Sequence, residues 1–293
     1  MPQPAVDTAS PAAAAILAAR VPWLGRLAYS LGNACETILS RSFELFVLFF
    51  YTQILGVPGT IAGVALLVAM LVDAITDPLV GSFSDSLKTR FGRRHLLMYI
   101  SAVPSALFFI LLFTPPAGLG SVALGLWLAF AAIGLRISIT LFHIPWSAQV
   151  AELSTDMHER LTLAVWRNLF GVAAQFGIVA VAFDTFFKAT PQYPRGQENP
   201  DAYLPFALAV GASMMLIILL SAAGTRPRMR EVEVAQPAVP QRFSLAVLVP
   251  AWRDLIFRFR NFRSFFLAGL FLLTAFSMFN AMTLYLGSYY WGL

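Results

Sequence analysis

The chain has 293 residues, of which 58% are hydrophobic and only 12% are charged, and its formal net charge is +5. Soluble domains carry roughly 25% charged residues, and the mean hydropathy here is +0.73. This composition excludes a soluble enzyme, a disulfide-rich secreted scaffold and a disordered tail. The single cysteine, Cys35, cannot form an internal disulfide. The sequence therefore predicts an all-α, polytopic membrane protein.

Apolar segments follow one another along the chain, each long enough for a membrane span of roughly 20 residues. Residues 1–22 come first; they are rich in Ala and Pro without a basic region before the apolar run. This pattern predicts a flexible cytoplasmic tail rather than a signal peptide. Seven spans are predicted at residues 27–55, 61–83, 96–114, 122–150, 161–187, 203–223 and 265–290.

Lys and Arg are distributed unequally between the two predicted sides of the membrane. One side holds the tail and the basic stretches at residues 88–94 and 226–263, whereas the other holds only Lys188 and Arg195. Because cytoplasmic loops carry the excess of Lys and Arg, this predicts a multi-pass protein of the plasma (inner) membrane with a cytoplasmic N-terminus. The same clustering in loops indicates the lipid bilayer, not nucleic acid, as the partner of the basic residues.

The order of the spans predicts four regions. Residues 1–22 are the tail, 23–225 a six-helix transmembrane bundle, 226–262 a basic cytoplasmic central loop, and 263–293 a seventh transmembrane helix. Within the loop, residues 243–262 alternate apolar and basic residues, which predicts an amphipathic helix on the membrane surface. Transporters built from two six-helix halves carry such a loop between the halves. We therefore expect a chain truncated after helix 7, at the start of a missing C-terminal half.

Charged residues inside the apolar spans are the most informative feature for function. Each charge at mid-membrane costs roughly 2.5–3.5 kcal/mol on insertion scales, so these residues must face an internal cavity and neutralise one another. The carboxylates outnumber the arginines by one, and a bound cation would cancel that formal charge. The residues concerned are Glu36, Arg41, Glu44, Asp73, Asp77, Arg136 and Arg167, with His143 as a further titratable group.

The spacing of Asp73 and Asp77 predicts a cation site. Residues at i and i+4 lie on one face of a helix, and two carboxylates held close together share a proton or bind a cation between them. Thr76 adds a hydroxyl nearby. Oxygen ligands alone suit Na⁺ or H⁺. Arg136, Thr140 and His143 follow the same helical spacing on the fourth span and also lie on one face.

Structural interpretations of these residues stay open beside the functional ones. Asp73 and Asp77 could serve only as ion-pair partners of Arg136 or Arg167. The Glu36–Arg41–Glu44 set fits an ion network that stabilises the helix as well as it fits a contact with substrate. Two further histidines, His95 and His158, are interpreted as solvent-exposed loop residues.

Residues 29–94 resemble the glycoside–pentoside–hexuronide:cation symporters, the melibiose-carrier-like branch of the major facilitator superfamily. The resemblance rests on the block DAITDPLVG at residues 73–81 and on Asp85 with the Gly92-Arg93-Arg94 loop. Weaker matches follow at residues 144–160. It implies the six-helix N-terminal bundle of that superfamily followed by a seventh helix.

The resemblance also implies roles for individual residues. The cation site would comprise Asp73, Thr76, Asp77 and Thr140, with Na⁺ possible at the two aspartates. The gating loop would comprise Gly81, Asp85, Arg90, Gly92, Arg93 and Arg94. The substrate contacts would come from Glu36, Thr37, Arg41, Arg136, His143 and Arg167. This chain departs from the melibiose carrier at Thr76, where relatives have asparagine, and at Thr37 and His143, which replace two sugar-binding carboxylates.

The leading functional expectation is a secondary active transporter that couples Na⁺ or H⁺ to symport of a small, sugar-like organic solute by alternating access. Its only cofactor would be the coupling cation. No HExxH, Gly-x-Ser-x-Gly or metal-spaced Cys/His cluster is present, so an enzyme is not expected. Two alternatives stay open. One is a lysophospholipid transporter of the same superfamily, which Phe residues along the cavity would favour; the other is a non-transporting fragment, receptor or scaffold.

Overall fold

A computed structural model of the chain describes residues 19–87, 89, 92, 94–235 and 260–291. Seven long helices, numbered here in chain order, account for most of the described residues. Helices α1, α5 and α7 continue beyond these bounds as π-helical turns, which reach Ile54, Phe186 and Tyr290. The helices are α1 Trp23–Ser42, α2 Gly59–Ser86, α3 His95–Leu112, α4 Ser121–Leu153, α5 Met157–Val181, α6 Tyr203–Ala235 and α7 Arg260–Tyr285.

The predicted all-α membrane fold is confirmed. Helices α2–α7 are each long and apolar enough to cross a membrane. Helix α1 is more polar than the other six helices, because Glu36, Arg41 and Glu44 interrupt its apolar sequence. It packs inside the bundle against α5 and α6. The predicted surface helix at residues 243–262 falls almost entirely outside the described residues.

The helices alternate in direction and leave the bundle with two distinct ends. At the first end α1, α3 and α5 begin and α2, α4 and α6 finish; the second end holds the opposite termini. Around the bundle α2 packs on α4, α4 on α3, α3 on α6, α6 on α1 and α1 on α5. This order brings α1, α2, α4 and α5 to one side, where the charged residues of the spans lie.

A glycine in α1 allows α1 and α4 to approach closely. The Trp146 indole of α4 lies against Gly32, where an added Cβ would be 2.2 Å from the indole Nε1. That Nε1 donates a 2.8 Å hydrogen bond to the Tyr29 carbonyl oxygen, and the Trp146 ring stacks on the Tyr29 ring at 5.2 Å. The contact fixes the register of α1 against α4, one turn from Glu36 and His143.

Aromatic side chains fill the core at the second end. Phe46 stacks on Phe187 at 4.9 Å, and Phe206 contacts both rings. Phe50 and Phe113 join them against Tyr203. All six side chains are buried. Part of the phenylalanine content is therefore core packing.

Ion pairs connect the helix termini at the first end. The buried Arg94 guanidinium donates to Asp85 at 3.2 Å and lies 2.8 Å from Glu152, so it joins the ends of α2 and α4. Arg228 of α6 donates a 2.9 Å hydrogen bond to the carbonyl oxygen of Ala19. These contacts gather the N-terminal segment and three helices at one end of the bundle.

Helix α6 continues to Ala235, well past the predicted apolar span that ends at residue 223. Its extension is polar and is stabilised by ion pairs on its own surface, Arg226 with Glu233 at 3.0 Å and Arg228 with Glu231 at 3.1 Å. Arg228 and Glu231 are three residues apart and Arg226 and Glu233 are seven apart, so the pairs span one and two helical turns. The extension also buries Met229 and Val232.

The interpretation of His95 as solvent-exposed is wrong. His95 begins α3, is fully buried, and lies 3.0 Å from the Thr225 hydroxyl of α6. The neighbouring basic residues suggested a solvated loop, but α6 extends far enough to cover this position. His158 is exposed, as predicted.

The glycine contact yields a stability prediction. Replacing Gly32 with Ala in the full-length protein that contains this chain should lower its free energy of unfolding by about 1–3 kcal/mol, the usual range for overpacking a core. The measurement is the melting temperature in detergent. Gly63→Ala is the matched control, because nothing lies within 4 Å of an added Cβ there. Equal melting temperatures for the two variants would contradict the proposed close contact.

Candidate cation and solute site

Two aspartates of α2 and a threonine of α4 form a cluster of side-chain oxygen atoms. Thr140 Oγ1 lies 3.2 Å from Asp73 Oδ1 and 3.0 Å from Asp77 Oδ1. A hydroxyl group has one proton to donate, so it satisfies one carboxylate at a time. The second close oxygen contact becomes favourable when a proton or a cation lies between the oxygens. The geometry can therefore hold H⁺ or a hard monovalent cation.

Arg136 neutralises only one of the two aspartates. Its Nη1 lies 3.4 Å from Asp73 Oδ2, and its guanidinium carbon lies 4.9 Å from the centre of the Phe43 ring. The cation–π contact helps to hold the guanidinium against α1. Asp77, by contrast, has the Thr140 hydroxyl as its hydrogen-bond partner. Among the described residues, Asp77 therefore has no basic side chain at ion-pair distance.

Thr76 lies beside the aspartates in sequence but directs its hydroxyl elsewhere. Its Oγ1 donates a 3.1 Å hydrogen bond to the Asp73 carbonyl oxygen within α2. A hydroxyl that is bonded to its own helix backbone is not aimed at the carboxylate oxygens. Thr140 thus supplies the hydroxyl of this cluster, and Thr76 supports the helix turn.

The Glu36–Arg41–Glu44 set is divided between two neighbouring helices. Glu36 Oε2 lies 3.4 Å from His143 Nδ1 of α4, and its Oε1 accepts a 3.2 Å hydrogen bond from Ser40. Arg41 donates to Glu44 at 3.1 Å and to Asn280 Oδ1 of α7 at 2.7 Å. Glu36 therefore belongs with α4, whereas Arg41 links α1 to α7.

Asn280 was missed by the sequence analysis, which considered only charged residues and their near neighbours. An amide inside an apolar helix indicates a polar partner just as a charge does, because burying an amide without a hydrogen bond is unfavourable. Asn33 was missed for the same reason. Its Nδ2 donates a 3.0 Å hydrogen bond to the Arg167 carbonyl oxygen.

Arg167 lies on α5 and faces groups of α1 and α4, among them Tyr29, His143 and Trp146. Its guanidinium carbon is 6.0 Å from the centre of the Trp146 ring. Its Nε is buried and has no hydrogen-bond partner among the residues that the structure describes. Thr37 faces α5 one turn beyond Arg167, and its hydroxyl donates to the Asn33 carbonyl oxygen at 2.9 Å.

Polar contacts join α7 to the second end of the bundle. The hydroxyl of Thr52 lies 2.6 Å from that of Tyr285, and Tyr289 donates to Gln53 at 2.8 Å. Gln197, in the connection between α5 and α6, donates to the Ser288 hydroxyl at 2.7 Å. Helix α7 thus lies beside the second half of α1, next to the charged residues of the site.

Of the predicted gating-loop residues that the structure describes, Asp85, Gly92 and Arg94 lie at the first end, whereas Gly81 lies on α2 one turn from Asp77. A Cβ added at Gly81 would lie 3.5 Å from the Ile144 side chain, which is an ordinary van der Waals distance. Gly92 has a φ of +91°, a conformation that favours glycine, and lies against the Arg226–Glu233 pair. Asp85 and Arg94 form the ion pair described above. Arg90 and Arg93 lie outside the described residues.

Comparison with known proteins gives a family match over most of the chain. The family model described as MFS/sugar transport protein matches residues 28–293. The isoprimeverose transporter of Lactiplantibacillus pentosus is 29% identical over 244 residues, which are 83% of this chain and 50% of that protein.

Two Escherichia coli K12 proteins are also similar. The glucuronide carrier protein homolog is 25% identical over 222 residues, 75% of this chain and 47% of that protein. The inner membrane symporter YicJ is 28% identical over 151 residues, 50% of this chain and 32% of that protein. The chain spans half or less of the length of these relatives.

The two threonines of the predicted cation site should behave differently on substitution. Thr140→Val in the full-length protein removes the hydroxyl between the aspartates and should weaken cation binding about tenfold. Thr76→Val, the matched control, should leave it unchanged, because that hydroxyl bonds to the backbone. The measurement is the rise in melting temperature on titration with Na⁺, repeated by lowering the pH at constant ionic strength. A larger effect of Thr76→Val than of Thr140→Val would contradict the assignment.

Proposed function

The chain belongs to the MFS/sugar transport protein family, and from this premise we propose that the full-length protein containing it is a secondary active transporter. It couples the entry of a monovalent cation, Na⁺ or H⁺, to symport of a small, sugar-like solute by alternating access. The observation that carries the proposal is the Asp73–Asp77–Thr140 cluster, which holds more negative charge than its basic neighbour neutralises.

Cation binding in this proposal acts through electrostatics. Two carboxylates that share one hydroxyl repel each other, and a cation between them removes the repulsion. Because the oxygens come from α2 and α4, the cation also draws these two helices together. If this raises the affinity for solute, the solute must raise the affinity for the cation by the same factor.

The solute is assigned to the polar groups beside the cation cluster. Glu36, His143 and Arg167 reach the same side of the bundle from α1, α4 and α5. They offer both hydrogen-bond donors and acceptors, which a hydroxylated solute requires. The names of two relatives, an isoprimeverose transporter and a glucuronide carrier homolog, support a sugar-like solute.

Alternating access requires two halves that meet at one end of the molecule at a time. Helix α7 would begin the second half. Its contacts with Thr52, Gln53 and Gln197 support closure at the second end in this conformation. The ion pairs of Asp85, Arg94 and Glu152 hold the first end of the N-terminal half together while the halves rock.

The excess of basic residues at the first end supports a cytoplasmic position for that end and for the N-terminus, in the plasma (inner) membrane. The lysophospholipid alternative depended on phenylalanines along the cavity. The buried second-end core instead contains Phe46, Phe50 and Phe206. Phe43 is the phenylalanine that contacts the site, where its ring lies 4.9 Å from the Arg136 guanidinium carbon. The names of the relatives support a sugar-like solute over this alternative.

Asp77→Asn tests the proposed coupling. It removes the carboxylate that lacks a basic partner and should abolish accumulation of solute driven by a Na⁺ or H⁺ gradient, while the fold is retained. Uptake is measured with the full-length protein in proteoliposomes, with the gradient imposed or absent. Candidate solutes are radiolabelled pentosides, hexuronides and hexosides.

The matched control is Asp184→Asn, which removes an exposed carboxylate at the end of α5. It should accumulate solute as the wild type does. Undiminished gradient-driven accumulation by Asp77→Asn would refute the assigned cation site. Wild-type uptake that is indifferent to both gradients would refute symport itself.

A further inference from the structure

A long, ordered connection joins α5 to α6 at the second end of the bundle. It covers residues 187–202, and its regular structure is limited to two short 3₁₀ turns, Gly196–Glu198 and Pro200–Ala202. Thr190 and Tyr193 exchange backbone hydrogen bonds of 2.9 and 3.1 Å within it. Connections of this length with so little regular structure are usually either disordered or functional. Because this one is ordered by its own hydrogen bonds, a functional role is favoured.

The conformation of the connection presents the Gln197 side chain to α7. A Cβ added at Gly196 would collide with the Phe187 carbonyl group, so glycine is required for the two stretches of backbone to lie this close. The buried Tyr203 hydroxyl donates a 2.7 Å hydrogen bond to the Gln197 carbonyl oxygen. The backbone of Gln197 is therefore fixed from two directions, and its side chain extends out of the connection.

The Gln197 amide reaches the last turn of α7. It donates a 2.7 Å hydrogen bond to the Ser288 hydroxyl, and the two residues are only 7% and 1% exposed. The contact contrasts with the rest of α7, in which no residue of Asn261–Asn280 is buried. A buried amide without a hydrogen bond is unfavourable. Close packing at this end of α7 therefore depends on the partnership of Gln197 and Ser288.

Further contacts hold the same turn of α7 from two sides. From the connection, the Arg195 guanidinium carbon lies 5.4 Å from the centre of the Tyr289 ring. From α1, Gln53 accepts a hydrogen bond from the Tyr289 hydroxyl, and the Thr52 hydroxyl lies 2.6 Å from that of Tyr285. The end of α7 is thus bound both to α1 and to the connection between α5 and α6.

The two helices that meet here both have π-helical turns at the contact. These turns are Phe50–Ile54 in α1 and Leu286–Tyr290 in α7. Such turns are rare and are found frequently at functional sites. Their position agrees with a place where the two helices change their contact during transport.

We propose that Gln197 and Ser288 form a latch that closes the second end of the transporter, and that this hydrogen bond breaks whenever the second end opens. The inference rests on the proposed function, because it assigns Gln197 a positioning role in the movement of the two halves. When the end opens, water replaces each lost partner, so the net contribution of the hydrogen bond is modest. The latch therefore shifts the equilibrium toward the closed end without preventing opening.

Labelling of a reporter cysteine measures closure without any solute or gradient. Leu48 is a suitable position because helical spacing places it between Arg41 and Thr52, on the stripe of α1 that contacts α7. Leu48→Cys is introduced into the full-length protein after its native cysteines, Cys35 included, have been replaced by alanine. A membrane-impermeant maleimide is added to vesicles in which the second end faces outward, and the rate of labelling is measured.

Gln197→Ala should raise the labelling rate about fivefold or more, the effect of losing one ordinary hydrogen bond. Gln192→Ala is the matched control, because it removes an exposed amide from the same connection, and it should leave the rate unchanged. Ser288→Ala should act as Gln197→Ala does. The double variant should add nothing further, because both changes remove the same hydrogen bond. Two unrelated local disturbances would instead give additive effects.

Locking the latch tests the opposite direction. Gln197→Cys and Ser288→Cys are combined in the same cysteine-free protein and joined by a short bifunctional thiol reagent that a reductant cleaves. The joined protein should lose solute uptake and regain it on reduction. The rise in its melting temperature with Na⁺ or at lower pH should persist, because the first end stays free to admit the cation. Gln197→Cys alone, treated in the same way, is the control and should keep its uptake.

Three results would overturn the latch. These are an unchanged labelling rate in Gln197→Ala, additive effects in the double variant, and normal uptake by the fully joined protein. The proposed function fails separately, since labelling needs neither solute nor gradient. Gradient-driven uptake with unchanged labelling would refute the latch alone, whereas faster labelling in a protein whose uptake ignores both gradients would refute symport alone.

Discussion

The fold depends on one constraint, which is that charged side chains inside an apolar bundle must be neutralised by one another. The contacts concerned join different helices: Asp73 pairs with Arg136 between α2 and α4, and Glu36 lies 3.4 Å from the His143 imidazole between α1 and α4. Arg41 reaches α7 through Asn280. The same contacts that stabilise the bundle therefore also position the polar side of the site. Within the described residues these contacts leave Asp77 without a basic partner at ion-pair distance, and the proposed cation would neutralise it.

Glycines determine how closely the pairing helices can approach. Gly32 admits the Trp146 indole, and Gly171 admits Asn33, whose Nδ2 would lie 2.4 Å from an added Cβ. The first contact sets α1 against α4 and the second sets α1 against α5. Polar groups on three helices thus converge because the backbones lie closer than ordinary side chains would allow. Small residues at helix contacts serve this purpose in membrane proteins generally.

The sequence predicted which residues lie on one face of the same helix. It did not predict contacts that depend on how two helices are aligned. Helical spacing alone places Asp73 beside Asp77 and Arg136 beside Thr140 and His143. Spacing could not show that Glu36 pairs with His143 rather than with Arg41, because that choice depends on the rotation of α1 that Gly32 and Trp146 fix. The basic residues near His95 also suggested that this histidine is solvated. Its burial depends on how far α6 extends past the membrane, which the sequence did not show. Hydropathy was sufficient to predict the order of the membrane spans throughout the described chain.

The proposed coupling needs no direct contact between cation and solute. The cation cluster takes its oxygens from α2 and α4, because Thr140 Oγ1 lies 3.2 Å from Asp73 Oδ1 and 3.0 Å from Asp77 Oδ1. A cation that binds there would remove the repulsion between the carboxylates and hold the two helices together. Helix α4 also carries His143 and Trp146, so the same movement would reposition side chains that contact α1. Thermodynamic reciprocity would make the effect of the cation on solute affinity equal to that of the solute on cation affinity, and coupling free energies of this kind are typically about 1–3 kcal/mol.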